Sequence, residues 1–123
     1  MIDGAAGDDL GAAMRRGLVV VGGRAGDRVG NRMLAGTILV AGFCGRHAGA
    51  AMRRGTIALL GKPPELPLTF VRANCWEPPF MRLLLVYLTR SGFPVPHEWF
   101  AAPLTSYSGD MLESGRGEIL LCV

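Results

Sequence analysis

Lysine is almost missing from this 123-residue chain: Lys62 is the only one, and arginine supplies the rest of the 13 basic residues. Against 10 acidic residues the net charge is +3 and the isoelectric point is near 9.1. That balance is too mild to indicate nucleic acid, but it suits an acidic partner or ligand. Cysteine is also scarce. Cys44, Cys75 and Cys122 stand far apart, without the Cys-x-x-Cys spacing that holds zinc or an iron–sulfur cluster, so they read as reduced, mostly buried thiols of a cytoplasmic protein. Long hydrophobic runs are lacking too. Half the residues are hydrophobic and mean hydropathy is +0.30, yet the longest unbroken apolar run, Leu83 to Leu88, falls far short of the ~20 residues a membrane span requires. The surplus apolar surface therefore points to protein partners. Met1 and Ile2 are followed by Asp3 and glycine, which is not the basic, then apolar, then small-residue pattern of an export signal. The length suits one structural unit.

Glycine, by contrast, is abundant, with 18 residues, and its placement is periodic. Shifting the first half along itself by nineteen aligns Gly7, Gly26 and Gly45; Gly11, Gly30 and Gly49; Gly17, Gly36 and Gly55; and Gly23, Gly42 and Gly61. Met14, Met33 and Met52 align as well. Between the last two glycine columns run Val19, Ile38 and Ile57, then Val21, Val40 and Leu59, an alternation that predicts strands with one buried face. A unit of nineteen residues with one short strand cannot bury that face alone, so copies must stack and share a core. The fold class read from this is mainly β: a β-solenoid of 19-residue coils over 1–61, with a C-terminal extension over 62–123 packed on it as one unit. Stacked strands lie about 4.8 Å apart, which turns each column into a row of touching side chains. Each fully buried large apolar side chain contributes roughly 1.5–3 kcal/mol to the stacking. The glycines are expected at corners, where the backbone needs positive φ or passes close to the next coil. Residues 1–4 align with 20–23, so "MIDG" reads as the tail of a coil whose beginning is absent, and upstream coils are expected to have been lost or to come from a second polypeptide.

The period argues against sharper readings of "GDRVGNRMLAGTILVAG". A dinucleotide-binding fingerprint needs a helix after its glycines, and none fits between the strands here. A calcium-binding roll needs a column of aspartates, whereas this column reads Asp8, Asp27, Arg46. Asp9, Arg28 and His47 should be axial neighbours, forming a solvated surface ladder. Arg15 and Arg16 recur as Arg53 and Arg54 with Leu34 and Ala35 between, which puts the two arginine pairs roughly 10 Å apart on one side. A solvated face is the default reading, and their forked donors make it a candidate contact for a carboxylate-rich ligand or acidic neighbour.

After Gly61, "KPPELP" interrupts sheet pairing, and Leu68 to Val71 could form one short strand. "EPPFMRLLLVYLTRSGFP" predicts a helix, with Pro78 and Pro79 near its first turn and Gly92 ending it before Pro94. Phe80, Leu83, Leu84, Tyr87 and Leu88 fall at helical spacing, and Met81, Leu85 and Val86 on the other faces predict burial on several sides. Such a helix would cover the flank or open end of the stack. "PVPHEWFAAPL" is irregular. His97 has no visible orienting partner for general-base work, and with Trp99 and Phe100 it reads as structural or interfacial. Glu118 to Val123 reads as a final strand.

The tandem stretches "GDRVGNRMLAGTI" and "GRHAGAAMRRGTI", the leucine-rich helix and the ending "YSGDMLESGRGEIL" together resemble the glycine-repeat subunit, conventionally lettered C, of formylmethanofuran dehydrogenase and of the bacterial formyltransferase/hydrolase complex, over essentially the whole chain. The C-terminal domain of the glutamate synthase large subunit resembles the glycine repeat alone. The resemblance implies a right-handed parallel β-helix that serves as a scaffold in methanofuran-linked one-carbon metabolism. Its partners would be the other subunits of the complex, which carry the zinc or the molybdenum or tungsten pterin. It carries no catalytic, cofactor or metal residue onto this chain. The bacterial carrier bears a polyglutamate tail, for which Arg15, Arg16, Arg53 and Arg54 are a candidate track. Family members are roughly twice as long, so a shortened or split subunit is expected. The competing readings are a glutamate synthase-type domain and a stand-alone enzyme using His47 or His97.

Overall fold

The computed structural model of the chain describes residues 4–61, 66, 69–76, 79–93, 95, 97–100, 104–109 and 116–122, with the side chains of 73–76, 79, 97, 98 and 122 outside the description. The fold is mainly β. Strands β1 (Leu18–Val21), β2 (Thr37–Val40) and β3 (Thr56–Leu59) come from the repeats, followed by β4 (Val71–Trp76), helix α1 (Pro79–Arg90), a 3-10 turn (His97–Phe100), β5 (Leu104–Gly109) and β6 (Gly117–Cys122). They form one six-stranded sheet in the order β1-β2-β3-β6-β5-β4. No helix of the described residues is long and apolar enough to cross a membrane.

The spacing of nineteen sets the register. Val19 pairs with Ile38 and Val21 with Val40 in the parallel β1–β2 ladder, and Ile57 and Leu59 continue both rows in β3. Outside the strands the same offset holds in backbone hydrogen bonds: Gly23 N donates to Gly4 O at 3.0 Å, Gly42 N to Gly23 O at 3.0 Å, and Gly45 N to Gly26 O at 3.1 Å. The glycine columns divide by cause. Gly17, Gly36 and Gly55 lie at φ 98°, 104° and 108°, a region that side chains strain to enter. Gly42 has no such φ, but a Cβ there would lie 2.5 Å from Gly23 O. Its requirement is close approach between neighbouring repeats.

β6 pairs in parallel with β3, Ile119 opposite Ile57 and Leu121 opposite Leu59, so the final strand continues the rows begun in the repeats. β5 then pairs antiparallel with β6, and β4 antiparallel with β5. The final strand expected at Glu118 to Val123 is present one residue earlier, at Gly117–Cys122. Leu68 lies outside the described residues, and the strand expected from Leu68 to Val71 instead begins at Val71. β5 had no counterpart in the sequence reading.

Two apolar cores flank the sheet. One gathers Ile38, Ile57, Ile119, Val40, Leu59, Met33, Met52, Val29, Ala48 and Cys44, with Leu10, Met14 and Val19 only partly buried at its edge. The other joins Val20, Leu39, Ala58 and Leu120 to Met81, Leu85 and Leu88 of α1. This corrects the expectation of one buried face on each repeat strand: Val20, Leu39 and Ala58 are buried as well, because α1 covers the flank they point to. The helix itself needs a second correction. Its buried face is Met81, Leu85 and Leu88, while Phe80, Leu83 and Tyr87 are exposed at 38%, 72% and 58%. Gly92, at φ 89°, ends the helix as expected, and Phe93 N bonds back to Leu88 O at 3.0 Å, a left-handed C-terminal cap.

Candidate functional site

The polar groups of the repeats gather on their outer turns. Asp27 N donates to Asp8 Oδ1 at 2.8 Å, and Arg46 N donates to Asp27 Oδ1 at 2.8 Å. Each aspartate of this column thus satisfies the backbone of the repeat that follows. Among the described residues no group of three or more His, Cys, Asp or Glu is placed to hold a metal ion.

Asp9 and Arg28 are brought together as their column predicts. Arg28 Nε donates to Asp9 Oδ1 at 2.8 Å, its terminal nitrogen to Asp9 Oδ2 at 3.1 Å, and that nitrogen lies 3.9 Å from Asp8 Oδ2. The Arg28 hydrogen bond holds the Asp9 carboxyl below its ordinary value, and the same bond raises Arg28. Both side chains remain well exposed, so water screens the pair. His47, next in the column, is exposed at φ 61°, and among the described residues no hydrogen bond or ion pair orients its ring. A general base needs such an orienting partner. His97 sits in the 3-10 turn with its side chain outside the description.

Arg15 and Arg16 stand in the turn before β1, and Arg53 and Arg54 in the turn before β3; all four are exposed. Backbone bonds tie these turns together across the intervening repeat: Leu34 N to Met14 O at 2.7 Å and Arg53 N to Met33 O at 2.8 Å. With strands ~4.8 Å apart, two steps place the pairs about 10 Å from each other. Four guanidinium groups at that spacing can take carboxylates along an extended acidic ligand. Cys44 is buried, and burial, with the charge of Asp27 second, pushes its thiol up to about 11. A thiol so held is a poor nucleophile. Cys75 and Cys122 have side chains outside the described residues.

What the sequence reading missed is the outward face of α1. Phe80, Leu83 and Tyr87 recur at i, i+3 and i+7, yet the neighbouring stripe Met81, Leu85 and Leu88, at i, i+4 and i+7, fits the helical period equally well. Only knowledge of which stripe meets Val20, Leu39 and Ala58 separates them.

No family model matches the chain, and no curated protein does. Among solved structures, the chain is similar to a chain of the formyltransferase/hydrolase complex from Methylorubrum extorquens, determined in complex with methylofuran. The two are 38% identical, the TM-score is 0.82, and the match covers 97% of this chain and 44% of that one. This chain thus spans less than half of its solved neighbour. In sequence and in fold it is similar to part of a chain of a formyltransferase/hydrolase complex.

Proposed function

We propose that this chain is a non-catalytic scaffold, corresponding to the glycine-repeat subunit, of a cytoplasmic formyltransferase/hydrolase complex in methanofuran-linked one-carbon metabolism. The observation that carries the reading is the match of 38% identity along 97% of the chain at a TM-score of 0.82. One other supports it. The repeats pair in parallel at a constant offset of nineteen residues, as turns of a right-handed parallel β-helix would.

Tagged purification from the native cell with mass spectrometry tests the reading. Co-purification of the other complex subunits is expected. Recovery with a flavin and iron–sulfur protein, or alone with a histidine-dependent activity, would overturn it. On the same reading, Arg15, Arg16, Arg53 and Arg54 bind the acidic tail of the carrier or an acidic neighbour. Changing all four to glutamine should weaken binding of a polyglutamate peptide at low salt at least tenfold, with the difference shrinking at moderate salt. Unchanged affinity would remove them from the binding surface.

A further inference from the structure

The face of α1 turned away from the sheet carries three large apolar side chains left in water. Leu83 is 72% exposed, Tyr87 58% and Phe80 38%. They lie at i, i+3 and i+7, the spacing by which an amphipathic helix seats its anchors in a groove. Aromatic residues and leucine at such positions form the desolvated centre of protein interfaces, ringed by polar groups. The polar groups here share one sign. Along Pro79–Arg90 the charged residues are Arg82 and Arg90, with neither Asp nor Glu in the segment, and both arginines are exposed.

We propose that this face of α1 docks into an apolar groove edged by carboxylates on another subunit of the complex; this rests on the scaffold reading above. The charge pattern favours a different protein over a second copy. A two-fold pairing of α1 with itself would gather four arginines and no helix carboxylate, a like-charge arrangement that opposes association. The face also differs in kind from the arginine turns: it offers a centre of three apolar anchors, where the turns offer exposed cations.

The test uses the full chain, tagged, in its native cell. Leu83→Glu places a negative charge at the centre of the face and should cut the recovered subunits at least tenfold. Arg82→Glu with Arg90→Glu should do the same, and Arg24→Glu, on an outer turn of the repeats, should leave recovery unchanged. Circular dichroism checks that each variant folds, and a benzoylphenylalanine photoprobe in place of Leu83 keeps the test independent of that. A crosslink from position 83 to a complex subunit supports the proposal. A complex that assembles with no such crosslink, or that tolerates Leu83→Glu, overturns the docking face and leaves the scaffold reading standing. Crosslinking of position 83 to a second copy overturns it in favour of self-association. Recovery of the wild-type chain with no complex subunit overturns both.

Discussion

Gly7, Gly26 and Gly45 occupy equivalent places in successive repeats, and none has positive φ, so alanine is allowed by the backbone at all three. Their surroundings differ. A Cβ at Gly7 would meet nothing within 4 Å, whereas at Gly45 it would lie 2.7 Å from both Gly26 C and Gly26 O and against Asp27 Oδ1. At Gly26 it would lie 2.9 Å from Gly7 C and press on Asp8 Oδ1. Gly7→Ala should therefore show only the loss of freedom in the unfolded chain, neutral to about 1 kcal/mol more stable. Gly45→Ala gains the same but overpacks against backbone that cannot turn aside, at about 1–3 kcal/mol. It also disturbs the 2.8 Å bond from Arg46 N to Asp27 Oδ1, worth about 1 kcal/mol. The expected gap between the two variants is about 2–4 kcal/mol, or roughly 6–16 °C in melting temperature for a chain of this size. Urea titration and thermal melts followed by circular dichroism would measure it. Equal effects at Gly7 and Gly45 would refute the reasoning, because chemically identical substitutions can differ only if each repeat rests on the one before it.

Further predictions follow the same geometry. Met33→Ala, at a fully buried position, should cost about 2–5 kcal/mol, and Met14→Ala, partly buried at the end of the same column, less than half as much in paired urea titrations. Ala13 lies at φ 57°, so Ala13→Gly should be neutral to about 1 kcal/mol stabilising, left-handed strain relieved against unfolded-state freedom gained; a clear loss in the melt would contradict the strain. Cys44 should resist alkylation at pH 8 until the chain unfolds, as mass spectrometry of iodoacetamide-treated protein would show. With its folded value raised to about 11 from the ordinary 9.0, its stabilising contribution is complete below pH 9 and lost as pH rises through 11. Cys44→Ala should flatten that alkaline decline in pH-dependent melts.

The parts legible in sequence are those in which neighbours in space are separated by a constant count of residues. Val19, Ile38 and Ile57 could be aligned by eye, and the ladders pair them. The Asp9–Arg28 contact follows from the same offset. Helix α1 was legible for a different reason, the local period of its apolar residues, and its end at Gly92 followed from the residue that tolerates positive φ. What could not be read is where the period stops. Ile119 sits opposite Ile57 across a separation that no repeat encodes, and β5 is a short stretch, "LTSYSG", whose Thr105 and Ser106 are buried despite polar side chains. Antiparallel pairing between β5 and β6 satisfies their backbone, a long-range fact with no local signature. The misread faces of α1 have the same origin. Local spacing fixes that two apolar stripes exist, and the sheet decides which one it takes: Met81, Leu85 and Leu88 are buried with Val20, Leu39 and Ala58. The stripe left over, Phe80, Leu83 and Tyr87, is apolar for a reason the chain's own fold does not supply. A sequence under no further constraint would place charged or polar residues on an exposed helix face. Three large apolar groups exposed there, beside arginines of one sign, are what the proposed docking to an acid-rimmed groove would cover.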